Sequence, residues 1–220
     1  MAKVKICGIT RLEDALAAVD AGADYLGFIF YPPSPRAIEP EAAGNIVRAL
    51  RAHPRFAAAD APRLVGVFVN EPAPAAAAVL DACDLDLAQL SGDESAADVT
   101  DPTSPLFGRA YKALRPRSPD EAQAQAGRFA APAGDGPVLL LDTPHGALYG
   151  GSGATGDWTV AAALSIRLPR LMLAGGLTPD NVAAAVARAH PWAVDVASGV
   201  EALPGRKDPT LIRAFVANAR

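Results

Sequence analysis

Short apolar blocks alternate along this chain with longer stretches in which apolar positions recur every three or four residues. The blocks predict strands. In order they read KVKICGI, DYLGFIFY, RLVGVFVN, LDLAQLSG, RAYKALR, PVLLLDT, RLMLAGG and WAVDVASG. The stretches between them predict helices. RLEDALAAVDAG has one apolar face and stops at Gly22, and EPEAAGNIVRALRAH is helical despite Gly44 inside it. APAAAAVLDAC opens on a proline, while the helix after the fourth strand is short because DPTSPLFG breaks it. SPDEAQAQAGRFA has Ser118 as its cap, and a sixth helix begins at about Trp158. TPDNVAAAVARA is predicted to start with Thr178 as cap and Pro179 at the first helical position, and DPTLIRAFVANAR closes the chain.

This is a strand-then-helix unit repeated eight times. The strands are nearly continuous apolar runs, as parallel strands covered on both faces must be. Such alternation implies a parallel sheet, and eight units in 220 residues suit one (β/α)8 TIM barrel spanning 1–220 as a single domain. A doubly wound open sheet is the alternative, distinguished by a reversal of strand order that periodicity does not reveal. No shift of composition marks a domain boundary.

Composition narrows the function classes. Half the residues are hydrophobic, yet no apolar run reaches the roughly 18 residues of a membrane span. The N-terminus enters a strand at once, with no apolar signal region, so a cytoplasmic location and no membrane partner are expected. The formal net charge of −4, without a dense Lys/Arg stripe, argues against a nucleic-acid surface. An anionic ligand must then be held locally, by backbone N–H groups and a few arginines. Cys7 and Cys83 have no metal spacing, and His53, His145 and His190 are scattered, so no metal site is expected.

In a barrel the chemistry sits at the C-terminal strand ends. The polar residues there are Cys7, Arg36 just past the second strand, Gln89, Asp142, the pair Gly175 and Gly176, and Asp195 with Ser198 and Gly199. Glycine turns after strands seven and eight suit a phosphate, because an oxyanion can approach bare backbone closely; the plain alternative is an ordinary tight turn. Asp142 ends the run VLLLD, where a carboxylate is costly to bury unless it is paired or functional; it is an acid or a loop brace. Cys7 is a small buried hydrophobe or a base, and on well-separated strands Cys7 and Asp142 can face one another across a substrate. Arg36 follows PPSP, a stiff loop, and either meets a carboxylate or lies in solvent. GGSGATGDW reads as a mobile lid or a plain loop. Cys83, on an apolar helix face, reads as packing.

Several of these words, taken together and in order, resemble the phosphoribosylanthranilate isomerase family of tryptophan biosynthesis. They are VKICGIT, ADYLGFIFYPPSPR, LVGVFVN, AQLSGDE, LLLDT, GGSGATGDW, LAGGLTPDNV, and DVASGVE followed by GRKD. The likeness runs from the first strand to the last helix and is weakest between Ser95 and Arg109. It implies a cofactor-independent barrel that takes a phosphosugar–anthranilate substrate through an Amadori rearrangement, as a monomer or homodimer. It places the general base on Cys7 and the general acid on Asp142. It sets Arg36 against the anthranilate carboxylate, with Asp195 and Gln89 near the substrate. The phosphate falls on Gly175, Gly176, Ser198 and Gly199, with Gly153 adding an amide. For that chemistry the Cys7 pKa is expected to fall and that of Asp142 to rise.

The chain departs from the family at Ser91, where histidine is usual, and at Ser152 and Gly156, where a threonine and an aromatic are usual. Two other readings compete. The related isomerase of histidine biosynthesis carries aspartate where this chain has Cys7. A phosphosugar-sensing barrel without turnover would tolerate loss of the acid or base, and both are present.

Overall fold

The computed structural model describes residues 1–57, 61–131, 135–142 and 158–220. Eight parallel strands close into a barrel in chain order: β1 (Lys3–Cys7), β2 (Tyr25–Ile29), β3 (Arg63–Phe68), β4 (Leu87–Leu90), β5 (Ala110–Leu114), β6 (Leu139–Asp142), β7 (Leu171–Ala174) and β8 (Ala193–Val196). β1 pairs with both β2 and β8, so no strand order reverses and the open-sheet alternative is excluded. Among the described residues no helix is long and apolar enough to cross a membrane.

The helices are α1 (Leu12–Ala21), α2 (Pro40–Arg51), α3 (Ala73–Ala82), α4 (Ala97–Thr100), α5 (Pro119–Phe129), α6 (Thr159–Arg167), α7 (Val182–Ala189) and α8 (Pro209–Asn218). α1 ends on Gly22 in the left-handed region, at φ 86°, and its N–H closes the last turn on the Ala18 and Val19 carbonyls. Ser118 caps α5 by accepting from the Glu121 N–H at 3.2 Å. α4 is a single turn, as the breaker after it requires.

Two local readings differ from the structure. α7 runs Val182–Ala189, starting three residues after Pro179; the turn before it is closed by the Asn181 side chain accepting the Thr178 N–H at 2.8 Å and by the Val182 N–H on the Thr178 carbonyl at 3.0 Å. Between β8 and α8 the chain also forms an antiparallel hairpin, β9 (Glu201–Leu203) with β10 (Arg206–Lys207), turned by Gly205 at φ 77°.

Period-two alternation sorts the strand residues into two cores. One set faces the helices: Val4 and Ile6, Leu26 and Phe28, Leu139 and Leu141, Leu171 and Leu173, Val194 and Val196. The other fills the barrel, with Tyr25, Val65, Leu87, Tyr111, Leu140, Met172 and Ala193 in one cluster. Two residues further along each strand, the same alternation aims Gly27, Gln89, Asp142, Ala174 and Asp195 at the barrel axis. On β1 it aims Lys5 and then Cys7 there. The alternation thus carries Cys7 and Asp142 to the C-terminal mouth, with Lys5, Gln89 and Asp195 on the axis beneath them.

Candidate active site

Cys7 is the last residue of β1 and only 5% exposed. Its register partner on β2 is Gly27, and a Cβ on that glycine would stand 2.8 Å from the Cys7 sulfur. The missing side chain gives the thiol its room. Gly8 follows at φ 77°, where the Arg36 stem packs so closely that a Cβ would lie 2.8 Å from Cδ. Glycine is therefore required at position 8 both by conformation and by close approach.

Burial pushes the Cys7 thiol above its ordinary range; Lys5 opposes that push and Asp195 reinforces it. This corrects the expected fall: in the ligand-free mouth, desolvation of the thiolate outweighs the cation. Lys5 is fully buried two residues below, and its ammonium donates to Asp195 Oδ1 at 2.9 Å. Burial pulls the Lys5 pKa down, but the carboxylate of Asp195, with Cys7 and Tyr111, outweighs burial and holds it above the lysine range.

Asp195 and Gln89 both sit one layer deeper than the rim. Asp195 is register-paired with Lys5 inside β8, and Gln89 lies within β4. Tyr111 donates its hydroxyl proton to Gln89 Oε1 at 2.9 Å, and Gln89 Nε2 donates to Ser91 Oγ at 3.1 Å. This buried chain orients the Gln89 amide and ends at Ser91. The Ser91 loop is itself pinned. Glu94 accepts the N–H groups of Asn70 and Gly92 at 2.8 and 2.9 Å and takes the Lys112 ammonium at 2.7 Å.

Asp142 ends β6 and is partly exposed at the mouth. Arg115 Nε donates to its Oδ2 at 2.8 Å. Along the ring β7 and β8 separate Asp142 from Cys7, so the turns after those strands lie between the two.

Those turns touch. A Cβ on Gly199 would fall inside the Leu177 carbonyl, so the backbone after β8 lies flat on the backbone after β7. Gly175 and Gly176 take φ values of 98° and 51°, and Asn181 Nδ2 holds the Gly176 carbonyl at 3.1 Å. Ser198, Gly199 and Val200 form one turn of 3-10 helix. Four of the residues expected at the phosphate thus lie at one place on the rim. Gly153, the fifth, lies outside the described residues, as do Ser152 and Gly156.

Arg36 is neither in solvent nor idle. Its Nε and Nη2 donate to the two carboxylate oxygens of Glu201, each at 2.7 Å. Lys207 donates to Glu201 Oε1 at 2.9 Å and to the Ala197 carbonyl at 3.0 Å. Burial raises the Glu201 pKa, but the Arg36 and Lys207 hydrogen bonds outweigh it and keep the carboxylate below its usual range. Burial pulls the Lys207 ammonium down against the same carboxylate. A guanidinium has five donors, and Glu201 takes two, so an edge remains for a second carboxylate. Arg36→Met is expected to raise KM by roughly ten- to a hundredfold with a smaller change in kcat, the worth of a charge-assisted contact. An unchanged KM in steady-state kinetics would show that this edge meets no ligand.

Lys5, Tyr111, Arg115, Glu201 and Lys207 were not singled out from the sequence. A signal existed for one of them: a lysine two positions before Cys7 in an otherwise apolar strand must share the cysteine's face. Cys83 is buried and donates to the Pro40 carbonyl at 3.2 Å, in keeping with packing.

Comparison with known proteins agrees with this geometry. The family profile for N-(5'phosphoribosyl)anthranilate (PRA) isomerase matches residues 4–218. An N-(5'-phosphoribosyl)anthranilate isomerase of Pelobacter propionicus is 45% identical over 225 residues, covering 100% of this chain and 96% of that protein. The crystal structure of phosphoribosyl anthranilate isomerase from Thermotoga maritima superposes with a TM-score of 0.80 at 38% identity, covering 100% of this chain and 98% of that one. A further isomerase structure, in complex with reduced 1-(O-carboxyphenylamino)-1-deoxyribulose 5-phosphate, has a TM-score of 0.78 at 36% identity, with 100% and 98% covered. With the profile spanning nearly the whole barrel and the relative aligned end to end, the chain belongs to the N-(5'-phosphoribosyl)anthranilate isomerase family.

Proposed function

We propose that this chain converts N-(5-phospho-β-D-ribosyl)anthranilate to 1-(2-carboxyphenylamino)-1-deoxy-D-ribulose 5-phosphate by an Amadori rearrangement, as a cofactor-independent isomerase of tryptophan biosynthesis. One observation carries the assignment of roles. Cys7 and Asp142 face the axis from β1 and β6 at one mouth, and the paired glycine turns lie between them along the ring. The solved relative bound to a reduced product supports the same ligand class.

Asp142 protonates the furanose oxygen. The bond from C1 to that oxygen breaks, and the nitrogen lone pair forms a cationic imine. The imine acidifies the C2 proton, which passes to the Cys7 thiolate. The C–H electron pair becomes the C1–C2 double bond, and the imine π pair returns to nitrogen. The enolamine then takes a proton at C1 from the Cys7 thiol and gives its C2 hydroxyl proton to the Asp142 carboxylate, leaving the ketone and restoring both groups. Arg36 offers its free edge to the anthranilate carboxylate, and Gln89 and Asp195 meet the sugar and amine from below. The phosphate lies on the backbone of Gly175, Gly176, Ser198 and Gly199, with Gly153 adding an amide. Backbone dipoles carry that charge because neither turn holds a lysine or arginine.

A crystal grown with the reduced product tests the whole arrangement. The phosphate is expected between the ends of β7 and β8, the carboxylate on Arg36, and C1 and C2 between Cys7 and Asp142. A phosphate elsewhere on the rim would overturn it. Gly176→Val is expected to raise KM about tenfold or more, since a β-branched residue at φ 51° is strained and its side chain takes the oxyanion's place. An unchanged KM would remove Gly176 from the phosphate site.

A further inference from the structure

The barrel interior holds a cation that the proposed steps do not use. Lys5 is fully buried, and its ammonium donates to Asp195 Oδ1 at 2.9 Å. A buried ion pair is seldom more stabilising than an apolar pair of the same volume, so its presence in this core calls for a reason other than stability. Its place suggests one. Lys5 lies two residues below Cys7 on the axis-facing side of β1. The point that a Gly27 side chain would occupy is 3.2 Å from Lys5 Cε and 2.8 Å from the Cys7 sulfur. Lysine stem and thiol therefore pack into one space over the β2 backbone. An ammonium has three donors, and Asp195 takes one.

The other charges facing the sulfur are committed elsewhere or act in the opposite sense. Arg36, from the loop after β2, and Lys207, from β10, both discharge onto Glu201. Asp195 on β8 repels a thiolate, and Tyr111 on β5 is neutral with its hydroxyl turned to Gln89. Lys5 opposes the burial of the thiolate more strongly than Asp195 adds to it.

Resting on the reading of Cys7 as the base, we infer that Lys5 is its positioning cation, holding the sulfur in the β2 notch and supplying the charge that lets a buried thiol ionise. Asp195 then has two tasks, keeping Lys5 charged from below and meeting the substrate from the side.

The test reads the thiol directly. Iodoacetamide alkylation of Cys7 and Cys83 is followed by peptide mass mapping at fixed mildly alkaline pH. The proteins compared are the wild type, Lys5→Met, and Lys5→Met with Asp195→Asn, which leaves no buried charge unpaired. The Cys7 rate is taken relative to Cys83, so that general loosening cancels. Below its pKa a thiol reacts in proportion to its thiolate fraction, and loss of a neighbouring cation raises a pKa by about 1–3 units. The ratio is therefore expected to fall roughly ten- to a thousandfold in the single variant, and by less but still measurably in the paired one. Ultraviolet titration of the thiolate, against Cys7→Ser as blank, should move the same way. An unchanged or faster Cys7 ratio in the paired variant would overturn the inference. The base assignment fails separately, through unaltered kcat in Cys7→Ala, and a slowed alkylation would stand even then.

Discussion

Cys7→Ala is expected to lower kcat by about 10²–10⁴-fold, the usual worth of a general base, while the barrel stays folded. The fold should survive because the change removes one sulfur from a notch beside Gly27 and leaves every strand hydrogen bond in place. Among the described residues no second base stands ready. Asp195 is bound to Lys5, and Glu201 is bound to Arg36 and Lys207. The sign of the pH dependence follows from burial. The base must be the thiolate, and burial raises the thiol above its ordinary range with only Lys5 as a strong counterweight. The thiolate fraction of the free enzyme therefore grows as pH rises, whereas Asp142 must hold a proton to act, so kcat/KM should follow the product of the two protonation states. In Cys7→Ala the part of the pH dependence set by the thiol should vanish. A variant with wild-type kcat and an intact circular dichroism spectrum would return Cys7 to packing.

Asp142→Asn is expected to slow turnover by about 10²–10⁴-fold with KM nearly unchanged. The amide has the same shape but no proton to give to the ring oxygen. Binding should persist, because the groups assigned to the carboxylate and phosphate lie on the loop after β2 and the turns after β7 and β8. Arg115 occupies Oδ2, so Oδ1 is the oxygen assigned to deliver the proton. The substitution also leaves Arg115 without its counter-charge, and the guanidinium, already 63% exposed, can turn to solvent. Activity within a few-fold of wild type would place the acid on another residue.

The barrel was legible because each strand end carried its own mark. Cys7 stands before a glycine, Asp142 closes a run of three leucines, and Gly175–Gly176 closes β7. Period-two spacing then decides which of these residues face the axis. What the sequence hid was partnership at long range. Glu201 is 165 residues from Arg36, and a charged pair of that separation leaves no local pattern. Glu201 and Lys207 lie in EALPGRKD, a stretch too short and polar to read as a hairpin. Depth was hidden as well. Gln89 and Asp195 are polar residues near strand ends, but only the register shows them one layer below the mouth. The direction of the Cys7 pKa was misread for a related reason. The chemistry called for a lowered value, whereas burial in the ligand-free barrel sets a raised one.

The account stands or falls on turnover, and the most direct measurement is anthranilate fluorescence after catalytic amounts of the purified chain are mixed with phosphoribosylanthranilate. The fluorescence should change progressively until the substrate, many equivalents over protein, is consumed, with the carboxyphenylamino-deoxyribulose phosphate recovered as product. A change that stops at one equivalent per chain, with the substrate recovered intact, would mark a phosphosugar-binding barrel without chemistry and contradict the account.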